Sequence, residues 1–286
     1  MKSILKSAAS LLPPAVRRAA SGAVLDLASL PERLRDPDRR DEPWQTLHNV
    51  GGGDFAAAGR HNLDLLTRYA GLTPSSRVLD IGCGAGRMAA PLVYVLGANG
   101  GYVGFDVSRA AIRACRQRLG RARPDFRFVH ADVRNREYRA SGAVAETAFV
   151  FPTADGEIDI AMATSVFSHM RLDSIAHYLR EAARSLKPGG RFLFTAFALT
   201  EERVARIEAG RSPMRFKPWK DGAWVVDPRS PERAIAHPLS ALKAATAAAG
   251  LDLPNGVAFG CWLPPSAYSG GQDLFIAVKP PAGSRP

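Results

Sequence analysis

VLDIGCGAGR, residues 78–87, decides how this chain is read. Val78, Leu79 and Ile81 make the short apolar run of a buried strand, and glycines on alternate positions, Gly82, Gly84 and Gly86, follow it. Glycines at that density mean that the backbone turns sharply or lets something approach closely, and a small ligand is the obvious candidate. A dinucleotide fingerprint needs G-x-G-x-x-G/A. Here the position that should be small is Arg87, which argues against NAD or FAD. No Gly-Lys-Ser/Thr follows, so a P-loop is excluded as well.

Working outward, the pattern alternates strand and helix. Upstream, AAAGRHNLDLLTRY places Leu63, Leu66 and Ala70 at helical spacing over 56–69, with Gly71 closing the helix. Downstream, a helix over MAAPLVYVL carries Pro91 in its first turn, where the missing N–H matters least. Strand YVGFD comes next. Ser108 then caps a helix with Ile112, Cys115 and Leu119 inward and Arg109, Arg113 and Arg116 outward. Strands FRFVHAD and IDIAMATSV follow, and Asp173 is the expected cap of a helix burying Ile175, Tyr178, Leu179, Ala182 and Leu186. KPGG turns that helix into strand RFLFTAF. Strands separated by helices of this length imply parallel pairing with right-handed crossovers, hence a doubly wound α/β sheet with helices on both faces. The tail adds the helix PLSALKAATAAAGL and two strands, GVAFGCW and QDLFIAVK, expected as an antiparallel pair at the sheet edge.

Residues 1–50 read as a basic N-terminal extension and 51–286 as the main domain, interrupted at 134–157 and 201–238. Insertions at the carboxyl ends of strands sit over a sheet's ligand crevice, so both are candidate substrate covers. Lys2, Lys6, Arg17 and Arg18 all precede the first acid, Asp26. Such a segment can lie on an anionic membrane surface, cover the domain, or simply pack or fray. At 46% hydrophobic residues the chain can bury a substantial core. It has no run of about 18 apolar residues and no signal-peptide core, which points to a cytoplasmic protein. Cys83, Cys115 and Cys261 are odd in number and never paired as C-x-x-C, so they are expected as free thiols. The net charge of +11 fits an anionic partner or an arginine-rich compositional bias.

Five motifs in order, VLDIGCGAGR, GFDVS, HADV, IDIAMATSVFSHM and LKPGGRFLF, make residues 56–280 resemble the class I S-adenosylmethionine (SAM)-dependent methyltransferases. The resemblance implies a Rossmann-like, seven-stranded sheet whose last strand is antiparallel, and SAM as cofactor. SAM's methionyl carboxylate suits the N–H groups of the glycine turn and the helix start. Its ribose diol wants a carboxylate at the next strand end, where Asp106 stands. By resemblance Asp132 accepts from the adenine amino group with Val133 beside the ring, and Asp80 orients the loop or the amino group. The cofactor-binding set so implied is Asp80, Gly82, Cys83, Gly84, Gly86, Asp106, Val107, Asp132, Val133 and Ser165.

Methyl transfer from a sulfonium mainly needs positioning and exclusion of water, and a hydroxyl acceptor also needs its proton removed. His169, just past the fourth strand, is the candidate general base, with His130 and His237 as lesser ones. Thr164, Ser165, Val166 and Phe167 stand where nucleic-acid methyltransferases of this fold carry an N/D-P-P-Y tetrad or a Pro-Cys pair, so base methylation is disfavoured. No metal-ligand set is present in the sequence pattern. GGGDFAAAGR, SVFSHM and the late Gln272-Asp273 pair resemble bacterial methyltransferases of glycan and lipid-linked sugar pathways, and that resemblance implies an acceptor hydroxyl on a glycan, a lipid-linked sugar or another small metabolite. The alternatives are an RNA methyltransferase and a non-catalytic SAM-binding protein.

Overall fold

A computed structural model describes residues 14–36, 42–47, 54–266, 268–281 and 283. Strand β1 (Arg77–Ile81) is the centre of the sheet, parallel to β2 (Gly101–Asp106) on one side and to β6 (Ile158–Ala163) on the other. β3 (Phe126–His130) continues the sheet beyond β2, and the long β7 (Leu186–Leu199) continues it beyond β6. Strand order therefore reverses between β1 and β6, which opens a crevice at their carboxyl ends.

β12 (Asp273–Val278) runs antiparallel along Arg191–Ala196 of β7 and in turn pairs antiparallel with the short β11 (Val257–Ala258). These are the seven expected strands, with the antiparallel last strand in place. Three more, absent from the sequence reading, come from the second insertion. β10 (Ile235–Pro238) lies parallel to the end of β7 at Phe197–Leu199, and β9 (Trp224–Val225) and β8 (Lys217–Pro218) extend from it. The first insertion forms a separate two-stranded patch, β4 (Val133–Arg134) with β5 (Val144–Ala145).

Alternate residues of each central strand feed opposite faces, as the period of two requires. Val78, Tyr102, Phe126, Ile160 and Leu193 pack under α2 (Phe55–Leu65), α3 (Ala89–Val95) and α4 (Arg109–Ala122). Leu79, Phe105, Ala161, Phe192 and Phe275 pack under α5 (Leu172–Ser185) and α7 (Leu239–Ala248). α6 (Glu201–Glu208) belongs to the second insertion.

Two local expectations are corrected. The helix expected over 56–69 ends in a π turn at Leu66–Ala70 before Gly71 closes it in the left-handed conformation. Asp173 is not the cap of α5: the N-cap is Arg171, and Asp173 sits in the first turn, accepting only from the Ser174 N–H. Ser108 does cap α4, accepting from Ala111 N.

Of the N-terminal extension, Lys2 and Lys6 lie outside the described residues, while Arg17 and Arg18 fall within α1 (Pro14–Arg35). The polar side of α1 is used internally. Asp26 accepts from Thr46 N, and the Arg33 guanidinium donates to the Glu42 and Pro43 carbonyls and stacks on Trp44.

Candidate active site

The carboxyl end of β1 turns back under β2. The N–H groups of Gly82 and Cys83 both donate to the Phe105 carbonyl, and Gly84 N donates to Asp106 Oδ2 at 2.9 Å. Asp106 Oδ1 accepts from Ser108 N at 2.7 Å, so this carboxylate fastens the glycine loop to the start of α4. Gly82, Cys83 and Gly84 consequently spend their N–H groups inside the protein and shape the wall of the crevice. Gly82 has φ +73°, and a Cβ there would lie 2.6 Å from Val166 Cγ2. Gly86 does not face the crevice. A Cβ on it would meet Leu119 Cδ1 at 2.9 Å and Cys115 Sγ at 3.0 Å, so it permits the close helix packing that a dinucleotide fingerprint assigns to its third small residue. Arg87 is thereby released to line the crevice, where burial lowers its pKa.

The crevice encloses about 1180 Å³ of empty space, its open mouth included. Asp80, Gly82, Cys83, Gly84, Asp106, Val107, Val133, Ser165 and His169 all line it. Asp132 does not: its carboxylate turns to Arg139, whose Nε and guanidinium nitrogen donate to Oδ1 at 2.7 and 2.6 Å and hold its pKa below the usual range. The tight 132–139 turn brings that arginine back, which a motif read one residue at a time does not show.

Asp80 is buried at the floor. Desolvation raises its pKa from 3.8 to about 7, opposed by a 2.7 Å hydrogen bond from the Tyr102 hydroxyl and reinforced by the charge of Asp106. Cys83 is buried beside these acids, and desolvation pushes its thiol well up, so it behaves as an inert wall residue.

His169 ends a short turn after β6. Its Nδ1 lies 2.9 Å from the Glu232 carbonyl oxygen, which can only accept, so Nδ1 carries the proton and the lone pair of the neutral ring sits at Nε2. Tyr138 packs edge-on against the ring, centroids 5.2 Å apart. The other two candidates lie away from the crevice. His237 is buried and bonded through Nε2 to the Met170 carbonyl, and burial lowers its pKa. His130 stands at the end of β3, where desolvation followed by Arg139 and Arg109 lowers its pKa.

Several lining residues were missed by the sequence reading. Phe55 and Asn62 come from α2, Asn135, Tyr138 and Glu146 from the first insertion, and Tyr178 from α5. Asn135 is the organiser. Its Nδ2 donates to Glu146 Oε1 at 2.8 Å and to the His169 carbonyl at 3.2 Å, while Oδ1 accepts from Glu137 N and Tyr138 N. Burial raises the pKa of Glu146, Asn135 and Ser174 opposing. The only signal in the sequence was the polar run RNREY inside the insertion.

A crevice at the switch point of a doubly wound sheet, floored by a G-x-G-x-G loop with an acid at the next strand end, gives this chain the fold and site layout of the class I SAM-dependent methyltransferases. Residues 78–190 match the family described as a methyltransferase domain. The 27-O-demethylrifamycin SV methyltransferase of Amycolatopsis mediterranei is 31% identical over 62% of this chain and 61% of its own length. The arsenite methyltransferase of Aquipseudomonas alcaligenes is 30% identical over 61% of this chain and 44% of its own, and a phthiotriol/phenolphthiotriol dimycocerosates methyltransferase of Mycobacterium ulcerans is 30% identical over 49% and 44%. The chain thus spans from under half to about three fifths of these relatives' lengths. Two solved structures share the fold at low identity. The PH0226 protein of Pyrococcus horikoshii OT3 aligns with a TM-score of 0.54, 15% identity and coverage of 83% of this chain and 96% of that one. The [4+2]-cyclase SpnF aligns at 0.52 and 18%, covering 93% and 97%.

The residues present fit SAM. Two acids line the floor within reach of the glycine loop, and the space where a Gly84 side chain would stand has nothing within 4 Å, so a ligand can approach the backbone there.

Proposed function

We propose that the protein transfers a methyl group from SAM to a hydroxyl of a glycan, a lipid-linked sugar or another lipid-like metabolite. SAM supplies a methyl group on a sulfonium that leaves as a neutral thioether. Asp106 takes the ribose hydroxyls and Asp80 the amino end, while Val107 and Val133 offer apolar surface to the base. Asp132, committed to Arg139, is not needed for the adenine amino group in this reading. His169 accepts the acceptor's proton at Nε2, and the Glu232 carbonyl stabilises the resulting imidazolium through Nδ1–H.

The observation that carries the reading is the placement of His169, with its tautomer set, in one crevice with Asp80 and Asp106. The acceptor class is supported by the crevice's mixture of apolar wall and polar Asn135, Tyr138 and Glu146. It also draws on relatives named for a 27-O-demethylated antibiotic and for phthiotriol lipids. Incubation with labelled SAM and a panel of glycans, polyprenyl-linked sugars and lipid alcohols tests it. Label on a hydroxyl of one panel member, lost in His169→Gln with binding of S-adenosylhomocysteine (SAH) retained within about threefold, is the expected outcome. Label passing only to RNA, with binding that falls steeply with salt, would identify the RNA alternative. SAH binding without transfer to any class would identify the non-catalytic one.

A peripheral membrane contact belongs to the same proposal. Val16, Val24, Leu27, Leu30 and Leu34 are exposed on one side of α1 while its polar side holds residues 42–46. No described helix is long and apolar enough to cross a bilayer. Co-sedimentation with anionic but not zwitterionic vesicles, abolished by Leu27→Glu with Leu34→Glu, is expected.

A further inference from the structure

The Gln272-Asp273 pair, singled out in the sequence but given no role above, divides its work in two. Asp273 is fully buried and architectural. It accepts from Ala198 N and Gly260 N at 2.8 Å and Trp262 Nε1 at 2.9 Å, and pairs with Arg203 at 3.1 Å. Gln272 instead bonds β7 and the turn that follows β6. Ser165 N donates to Thr195 Oγ1 at 2.8 Å, Thr195 Oγ1 donates to Gln272 Oε1 at 2.7 Å, and Gln272 Nε2 donates to Ser168 Oγ at 3.0 Å.

The direction of the first bond in this chain is fixed by its donor. A backbone N–H can only donate, so Thr195 Oγ1 accepts from Ser165, and its own proton is directed at Gln272 Oε1. The amide oxygen of Gln272 faces Thr195 and its amide nitrogen faces Ser168. The relay therefore joins β7 and the start of β12 to both ends of the turn that carries Ser165, Val166 and His169 into the crevice.

That turn needs holding. Ser165 has φ +58°, a left-handed conformation that a residue with a side chain adopts only when its surroundings impose it. Val166 fills the space that Gly82 leaves empty, so a shift of the turn is felt by the glycine loop. Ser168, fully buried, is the neighbour of His169.

We propose that Gln272 is a positioning residue: through Thr195 and Ser168 it sets Ser165 toward the cofactor and His169 toward the acceptor. This rests on the reading of the crevice as a SAM site with His169 as base. Because Asp273 carries the architectural contacts, Gln272→Leu is expected to fold with little loss of stability while the turn loses its register.

The test compares wild type, Gln272→Leu, Thr195→Val, their double variant and Gln272→Glu. Each is examined by urea denaturation, by calorimetric titration with SAH, and by nitrogen NMR of the histidine rings with His169→Gln supplying the assignment. SAH affinity should fall about tenfold in each single variant, the equivalent of one hydrogen bond, and no further in the double variant. Gln272→Glu, which keeps an acceptor for Thr195 and an oxygen to which the Ser168 hydroxyl can turn and donate, should recover most of it. The His169 ring, a single Nδ1–H tautomer in wild type, should become a mixture in Gln272→Leu. A folded Gln272→Leu protein with SAH affinity within twofold of wild type and an unchanged His169 signal overturns the proposal, as do additive losses in the double variant. Failure of wild type to bind SAH overturns instead the reading of the crevice, and the His169 signal still decides the positioning role.

Discussion

Replacing Asp80 by asparagine should favour the folded protein more at pH 8 than at pH 5. Asp80 is 4% exposed, and burial holds its pKa at about 7 against 3.8 in an unfolded chain. Below pH 3.8 the carboxyl is protonated in both states and burial carries no electrostatic penalty. As pH rises from 3.8 to about 7 the unfolded chain releases the proton and the folded protein keeps it, so stability falls. The whole shift, about three units, corresponds to roughly 4 kcal/mol at 1.36 kcal/mol per unit. The part that falls between pH 5 and 7 is roughly 3 kcal/mol. Asparagine does not titrate, so its advantage over wild type should grow by about that amount across the interval and then level off. In a chain of this size that is a gap in Tm that widens by roughly 5–10 °C. Its amide nitrogen, short of a partner in the buried floor, adds an offset that does not vary with pH. The slope is therefore the diagnostic. Urea denaturation of both proteins at pH 5, 6, 7 and 8 measures it, because the other titrating groups cancel in the difference. A difference that stays constant over this range would refute the claim that Asp80 is held protonated by burial. In wild type, SAH affinity should also rise as pH passes 7, because its amino group favours the ionised acid, and Asp80→Asn should remove that rise.

Asp106→Ala should weaken SAH binding by about 2 kcal/mol, roughly thirtyfold, because it removes the diol acceptor and also releases the Gly84 and Ser108 N–H groups; calorimetry within threefold of wild type would sink the ribose assignment. Gly82→Ala should lose roughly 2–4 kcal/mol of stability, from a left-handed residue and a collision with Val166, whereas Gly84→Ala, with open space around it, should lose only the roughly 1–2 kcal/mol of backbone strain. Denaturation midpoints in the reverse order would contradict the geometry of the loop. Arg203→Met should cost roughly 3 kcal/mol, since it leaves Asp273 buried without its cation, and adding Asp273→Asn should restore part of the loss; full additivity of the two in thermal melts would deny the coupling.

What the sequence determined by itself was whatever depends on neighbours along the chain. The apolar runs at Val78, Tyr102 and Ile158 specify parallel buried strands because period and hydrophobicity are local. The glycines at 82–86 announce a turn because φ above zero is a property of single residues. The acid closing β2 and the histidine after β6 were legible because strand ends in a doubly wound sheet point at one crevice. The tertiary structure decided what those residues touch. Gly86 sits under Leu119 and away from the crevice, and Asp132 belongs to Arg139, because helix packing and a returning turn are settled between segments far apart in sequence. Asn135, Tyr138 and Glu146 enter the site from an insertion with no periodicity to reveal which side chains face inward. β8, β9 and β10 are two to four residues long and take their place from pairing, β10 with β7, β9 with β10 and β8 with β9, so no run of their own betrays them. His169 was visible as a residue. Its working tautomer was not, because that depends on a carbonyl 63 residues further along the chain, at Glu232, and such a meeting exists only once the sheet has closed.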